Sequence, residues 1–456
     1  MFNENMLKID LKFFLKKHDI LILFILALIF RMVVLLSVSG NLLHLSPDST
    51  GYHNAAVKIV KGNGYTCFFR EPAYPAFLAT GYTIWQFFGG ELYNVKFVND
   101  WNSETGLVSD YHKEIIFIKF YQAFFDSLSV IILFLILSFI IPKRKAFLIS
   151  LLYGLFWPVA LVCNDLLRES FQTLILLLMN YFFVKALFTK KKYNFILFSL
   201  FWAISNITLQ ITSALVPFVF IFTWIFYRKF KKAFIVTVST SLITVMCLMP
   251  WLFYVYSYYP DLRIIKTNGC ALTFEWRTLG MAVGKAYKLK IISESEYHEF
   301  RSKELVNTFN ECFSKSFNGH YLKKADLLNT AIRNVEADMT LSEIYMPKIR
   351  SFFKYSGLHF WVIKSWGLHK SIKQNINEKN VLPILLYGFA VCFGLLCFFG
   401  FLIYYKEFFP ILLVFAFIWS LSYFIGGEYR RLLPAYPYVF SFGVMGGSYL
   451  YNRIKW

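Results

Sequence analysis

The feature that most constrains this chain is its succession of apolar runs, each long enough to cross a bilayer. A helix needs about 20 residues to traverse a hydrocarbon core roughly 30 Å thick. Apolar runs of that order fall at about 20–38, 115–141, 146–163, 168–188, 193–209, 211–227, 232–256, 381–404, 408–425 and 432–450. A backbone in lipid must satisfy its own hydrogen bonds, so such runs are helices. The expectation is an all-α polytopic membrane protein with about ten spans. Composition agrees: 57% of the 456 residues are hydrophobic, and mean hydropathy is +0.51. The fifth and sixth runs are separated only by the polar stretch SNITLQITS.

A net charge of +20 could point to nucleic acid, but the basic residues stand in short clusters between apolar runs, not along one polar face. Nucleic acid is therefore not an expected partner, and the clusters read as topology signals that also favour anionic lipid. Lys8, Lys12, Lys16 and Lys17 place the N-terminus in the cytoplasm. Alternation then puts Lys143–Arg144–Lys145, Lys190–Lys191–Lys192, Arg228–Lys229 with Lys231–Lys232, and Arg453 with Lys455 on the same side, so both termini are expected to be cytoplasmic. The run at 20–38 is too long for a signal-peptide core and reads as an uncleaved first helix.

Two long segments, 39–114 and 257–380, fall on the opposite side. The chain thus divides into a transmembrane module over 1–256, which includes the first loop, a small helical extracytoplasmic region over 257–380, and C-terminal helices over 381–456. Seven cysteines without a CxxC pair and eight histidines without HExxH spacing define neither a disulfide framework nor a zinc cage.

Every unusual ionisable group maps to that opposite side. The first loop holds Asp48, His53, Arg70 and Glu71; the turn before the fourth span holds Asn164, Asp165, Arg168 and Glu169; Glu428, Arg430 and Arg431 flank the last two spans. Charge beside a bilayer is costly, which makes these groups functional candidates. Asp48 precedes TGYHNAAVKIVKG, an amphipathic interfacial helix with Tyr52, Ala55, Ala56, Ile59 and Val60 on one face; it reads either as that helix's N-cap or as an active-site acid. His53 reads as a packing or hydrogen-bonding residue. Arg70 offers a planar, permanently charged fork suited to phosphate, or else snorkels to the interface; Glu71 could pair with Arg70 or hold a metal. Asp165 and Glu169, four apart, are expected on one helix face near its positive N-terminal end, as caps or as a second acidic site.

In this order, the motifs PDSTGYHNAAVKIVKGNGY, REPAYPAFLATGYTIWQFFGG, NDLLRESFQTLILLL, MPWLFYVYSYYPDLRIIKTNGCALTFEW and GGEYRRLLPAYPYVF resemble the GT-C superfamily of membrane glycosyltransferases. The branch they resemble is that of protein O-mannosyltransferases and lipid A aminoarabinose transferases. Two positions depart from its pattern: Ser49 stands where many members have a second acid, and Gln210 where many have arginine.

The resemblance implies a GT-C-like bundle and transfer of a sugar from a polyprenyl-phosphate carrier to an acceptor hydroxyl, usually with inversion. The site would face the periplasm or exterior of a bacterial inner membrane. It further implies Asp48 as catalytic base, Arg70 and Arg431 at the carrier phosphate, and Glu71, Asp165 and Glu169 as a metal or second acidic site. Tyr52, His53 and Tyr74 would support these, and a divalent metal is the implied cofactor. The expected partners are the polyprenyl-phosphate donor and membrane lipids; sugar and acceptor stay open. A flippase or transporter of a lipid-linked anion is the alternative from another class, and a polysaccharide polymerase or ligase on the same carrier is the nearer one.

Overall fold

The computed structural model describes residues 17–37, 43–65, 71–95, 101–102, 107–108, 112–209, 212, 215–258 and 436–454, with isolated positions in 285–295 and 392–404. Eleven helices are used below. They are α1 (Lys17–Ser37), α2 (Pro47–Val60), α3 (Ala73–Phe87), α4 (Lys113–Leu137), α5 (Lys143–Gly154), α6 (Trp157–Val162), α7 (Arg168–Thr189), α8 (Lys192–Asn206), α9 (Val216–Tyr227), α10 (Phe230–Tyr258) and α11 (Tyr436–Ile454). In the first loop, β1 (Trp101–Asn102) and β2 (Leu107–Val108) form a two-residue antiparallel ladder.

The protein is an all-α polytopic membrane protein. Among the described residues, four helices are long and apolar enough to span a bilayer: His18–Ser37, Lys113–Leu137, Arg168–Thr189 and Phe230–Tyr254. α1 and α10 turn Leu21, Ile25, Ile29 and Val33, and Phe234, Val238, Leu242 and Met246, outward, where only lipid tails could satisfy such a surface. α4 and α7 form the centre. α1, α5 and α6 pack on one flank and α8 on the other, with α9 and α10 beyond it.

The expected span at 146–163 is two helices. α5 ends at Gly154, where a Cβ would come 3.2 Å from Val130 and 3.5 Å from Ala27, so glycine lets α5 pack tightly against α4. The chain restarts at α6, whose first turn holds a proline. α10 matches the expected run at 232–256 and continues unbroken through Pro250 and Trp251 to Tyr258. The regions 257–380 and 381–435 lie almost wholly outside the described residues.

The bundle has two chemically distinct ends. Phe139, just past α4, stacks on Phe188 of α7 with ring centroids 5.9 Å apart, and Phe188 meets Phe226 of α9 at 5.7 Å. Those contacts gather the basic turns 143–145, 190–192 and 228–232 at one end. Lys190 and Arg228 themselves adopt left-handed φ values of 56° and 51° as the C-caps of α7 and α9, where positive charge complements the helix dipole. The opposite end is covered by α2 and α3. There Ala73 N donates to Ile207 O at 3.1 Å, and Tyr254 OH donates to Tyr65 O at 2.8 Å.

Candidate functional site

The covered end is built on the first turn of α2. Ser46 is the N-cap: its hydroxyl accepts from Ser49 N at 3.3 Å, and a proline follows at the first helical position. Asp48 is therefore not the cap. It sits half-buried in the first turn, where its charge favours the helix dipole.

Ser49, at the position of the missing second acid, is fully buried and donates its hydroxyl to Asp165 Oδ1. The same carboxylate oxygen accepts from Ser46 N at 3.3 Å, and the two serine hydroxyls lie 2.7 Å apart. An acid distant in sequence thus stands at the start of α2.

Asp165 reaches that place because it is not helical. α7 begins at Arg168, after Leu167 in extended geometry (φ −116°, ψ 145°), so Asp165 and Glu169 do not share a helix face as their spacing suggested. Asp165 points back to α2 while Glu169 is buried in the first turn of α7. Glu71 is 3% exposed and accepts a hydrogen bond from Arg168, which is 19% exposed. Among the described residues a distant arginine thus meets it, and Arg70 lies outside them.

α4 ties these segments together. Gln122 donates through Nε2 to the carbonyls of Cys163 (3.2 Å) and Asp165 (2.9 Å) and accepts from Tyr74 OH at 2.5 Å. One turn nearer the helix start, Lys119 donates to His44 O at 2.6 Å and holds the strand-like lead into α2. Tyr52 packs edge-on against Tyr74, with centroids 4.9 Å apart. Burial first, and then the neighbouring charges of Asp165 and Glu169, push the Tyr74 hydroxyl well above its ordinary pKa, so it stays a donor.

α2 differs from the interfacial helix its sequence suggested. Tyr52, His53, Ala55, Ala56 and Val57 are all buried, so the helix is enclosed on most faces by protein. His53 Nε2 lies 2.9 Å from Tyr93 O, which can only accept, so Nε2 carries the proton and Nδ1 accepts from Tyr82 OH at 2.6 Å. Burial lowers the His53 pKa to about 4, which makes it a neutral structural residue near pH 7.

Arg70, Arg431, Glu428, Arg430 and Gln210 lie outside the described residues. Among the described residues no three His, Cys, Asp or Glu side chains converge to hold a metal. Glu71, the acid best placed for that role in the sequence, is engaged by a guanidinium.

Ser46, Lys119 and Gln122 were not singled out from the sequence, nor were Arg31 and Asp126, which form a fully buried ion pair inside the bundle at 2.6 Å. The signal was present: Arg31 is the lone charge in 20–38, and Lys119, Gln122 and Asp126 interrupt the run at 115–141.

Neither a protein-family model nor a curated protein matches the chain. Among solved structures, ArnT from Cupriavidus metallidurans bound to undecaprenyl phosphate is similar at a TM-score of 0.41 and 11% identity, over 94% of this chain and 77% of that one. The family reading rests on the sequence motifs, not on this likeness.

Proposed function

We propose that the protein is a glycosyltransferase that moves a sugar from a polyprenyl-phosphate carrier to an acceptor hydroxyl on the non-cytoplasmic face of a bacterial plasma membrane, with inversion. The observation that carries this reading is that Asp165 bonds the turn that carries Asp48 while Arg168, three residues on, meets Glu71, at the bundle end opposite the basic turns. The motif resemblance supplies the reaction.

In that reaction Asp48 removes the proton of the acceptor hydroxyl as the new C–O bond forms at the anomeric carbon. The bond between that carbon and the phosphate oxygen breaks, and its electron pair leaves with the polyprenyl phosphate. Asp48 ends protonated, and the sugar is attached to the acceptor with inverted configuration. General-base assistance of this kind is worth about 10²–10⁴-fold. Charge growing on the leaving phosphate calls for fixed positive groups. Arg168, held at the site by Glu71, joins Arg70 and Arg431 in that role. Asp165 orients Ser46 and Ser49, and so the turn that carries Asp48.

The test is Asp48→Asn in cells, with cell-envelope lipids and glycans compared by mass spectrometry. The variant should accumulate in the membrane at the wild-type level and reproduce the glycan and lipid profile of cells lacking the gene. A wild-type profile would remove Asp48 as the base.

One observation favours the transporter alternative. Arg31 and Asp126 place opposite charges inside the span, as transport pathways often do. Both side chains are 0% exposed, however, whereas a pathway residue would line a cavity.

A further inference from the structure

We propose that α3 is the lipid-facing helix of the covered end: it stands in the leaflet opposite the basic turns, with Trp85, Phe87 and Phe88 among the headgroups. The inference does not depend on the transfer reaction.

Residues 72–90, PAYPAFLATGYTIWQFFGG, contain no charge, and the first ionisable group after them is the exposed Glu91. α3 buries Tyr74, Leu78, Ala79 and Tyr82 and leaves Ala76, Thr80, Thr83, Ile84 and Phe87 outside. At 100° per residue those five fall within roughly a 100° arc, so they form one continuous stripe. It ends on Phe87 and Phe88, which are 84% and 76% exposed. Two adjacent phenylalanines so bare are a poor surface for water and a good one for a membrane interface.

Depth follows from contacts along α4. Trp85 lies against Phe117 (centroids 5.3 Å) and Phe77 against Phe125 (5.2 Å), so α3 runs antiparallel to the first half of α4. Arg31 touches Asp126, which fixes α1 and α4 at one level. The middle of the α1 span lies about 5 Å from Arg31 on the basic-turn side, and Phe117 about 13 Å from Asp126 on the other, at 1.5 Å per residue. Phe117 and Trp85 thus stand about 19 Å from the bilayer midplane. The hydrocarbon half-thickness is about 15 Å and headgroups reach about 20–22 Å. Trp85 donates its indole N–H to Glu91 O at 3.0 Å, in keeping with the interfacial preference of tryptophan.

The stripe is continuous with surface already assigned to lipid. Thr80 Oγ1 lies 2.7 Å from Tyr121 OH on α4, and Tyr121 packs on Phe125, which meets Phe124. Phe124, 43% exposed, lies edge-on to Phe24 of α1, whose outward residues face the tails. Lipid is therefore the occupant the surroundings specify. It also begins only five residues beyond Glu71, so a lipid along α3 reaches the polar layer from the side.

The test is photo-cross-linking of the full chain in phosphatidylcholine vesicles, with p-benzoylphenylalanine placed singly at Ala76, Phe87 and Phe88. Leu21, on the lipid face of α1, serves as the positive control, and Phe134, fully buried, as the negative one. Phospholipid adducts at Phe87 and Ala76 within about threefold of the Leu21 yield are expected. Cross-links at those positions to another part of the chain or to a second copy, or a yield at the Phe134 level, would overturn the proposal. The sites are exposed, so folding is not at risk; an unchanged melting temperature in detergent verifies this for each variant.

Discussion

Two polar clusters in this molecule use the same residue types to opposite ends. Inside the bundle, Arg31 meets Asp126 at 2.6 Å and also donates to Ala27 O (3.2 Å) and Gly154 O (2.9 Å), all at zero exposure. At the covered end, Arg168 meets Glu71 with the arginine still partly exposed, and Asp165 receives two donors from the first turn of α2. The inner pair joins α1 to α4 and to the end of α5, and nothing can reach it. The outer layer joins chain segments that precede helices, where backbone ends and side chains can meet a substrate. Depth, not residue type, separates a register lock from a candidate active site.

The comparison breaks if the inner pair is the working one. Asp48→Asn should remove transfer by about 10²–10⁴-fold and leave stability intact. Asp126→Leu should do the reverse, costing about 3–5 kcal/mol by stranding the Arg31 charge, while the surviving folded protein transfers at the wild-type rate. The double variant Arg31→Leu with Asp126→Leu should recover most of that loss, because an apolar pair replaces the ions. Unfolding in detergent and in vitro transfer on the same preparations separate these outcomes. Loss of function in the double variant with stability restored would favour the transport alternative.

His53 sharpens the comparison through pH. Its folded pKa of about 4 lies below the ordinary value near 6.5, so the unfolded chain binds the extra proton between them. Its contribution, a few kcal/mol, is fully present above about pH 6.5 and is lost as pH falls from there toward 4. Melting temperature against pH should show that decline in the wild type and a flatter profile in His53→Gln. Gln122→Leu strands the Tyr74 hydroxyl and two carbonyls, at about 1–3 kcal/mol for each group left unpaired. Because Gln122 holds the segment that carries Asp165, transfer should also fall, whereas Gln122→Glu, which keeps an acceptor for Tyr74, should retain more stability than Gln122→Leu.

Much of this was legible in the sequence. Apolar length marked α1, α4, α7 and α10, since a helix in lipid needs no partner to form. The basic clusters indicated which turns belong together, and aromatic contacts place those of α4, α7 and α9 at one end. What failed was local geometry at helix starts. Spacing alone put Asp165 on α7, because a four-residue interval carries no record of where a helix begins, and it left the N-cap role of Asp48 open until Ser46 took it.

The sequence by itself determined the all-α membrane class and the four long spans, because hydropathy acts over whole segments, and the motif resemblance singled out Asp48 as the acid to test. Only the tertiary structure decided the partners: Asp165 with Ser49, Glu71 with Arg168, Gln122 with Tyr74, and Arg31 with Asp126. It also enclosed α2, read from the sequence as interfacial, and left the stripe of α3 outside. The physical reason is range. Hydrogen bonds and ion pairs act over about 3 Å between residues here some 50 to 120 positions apart, and no periodicity in a chain encodes which distant residues will stand that close.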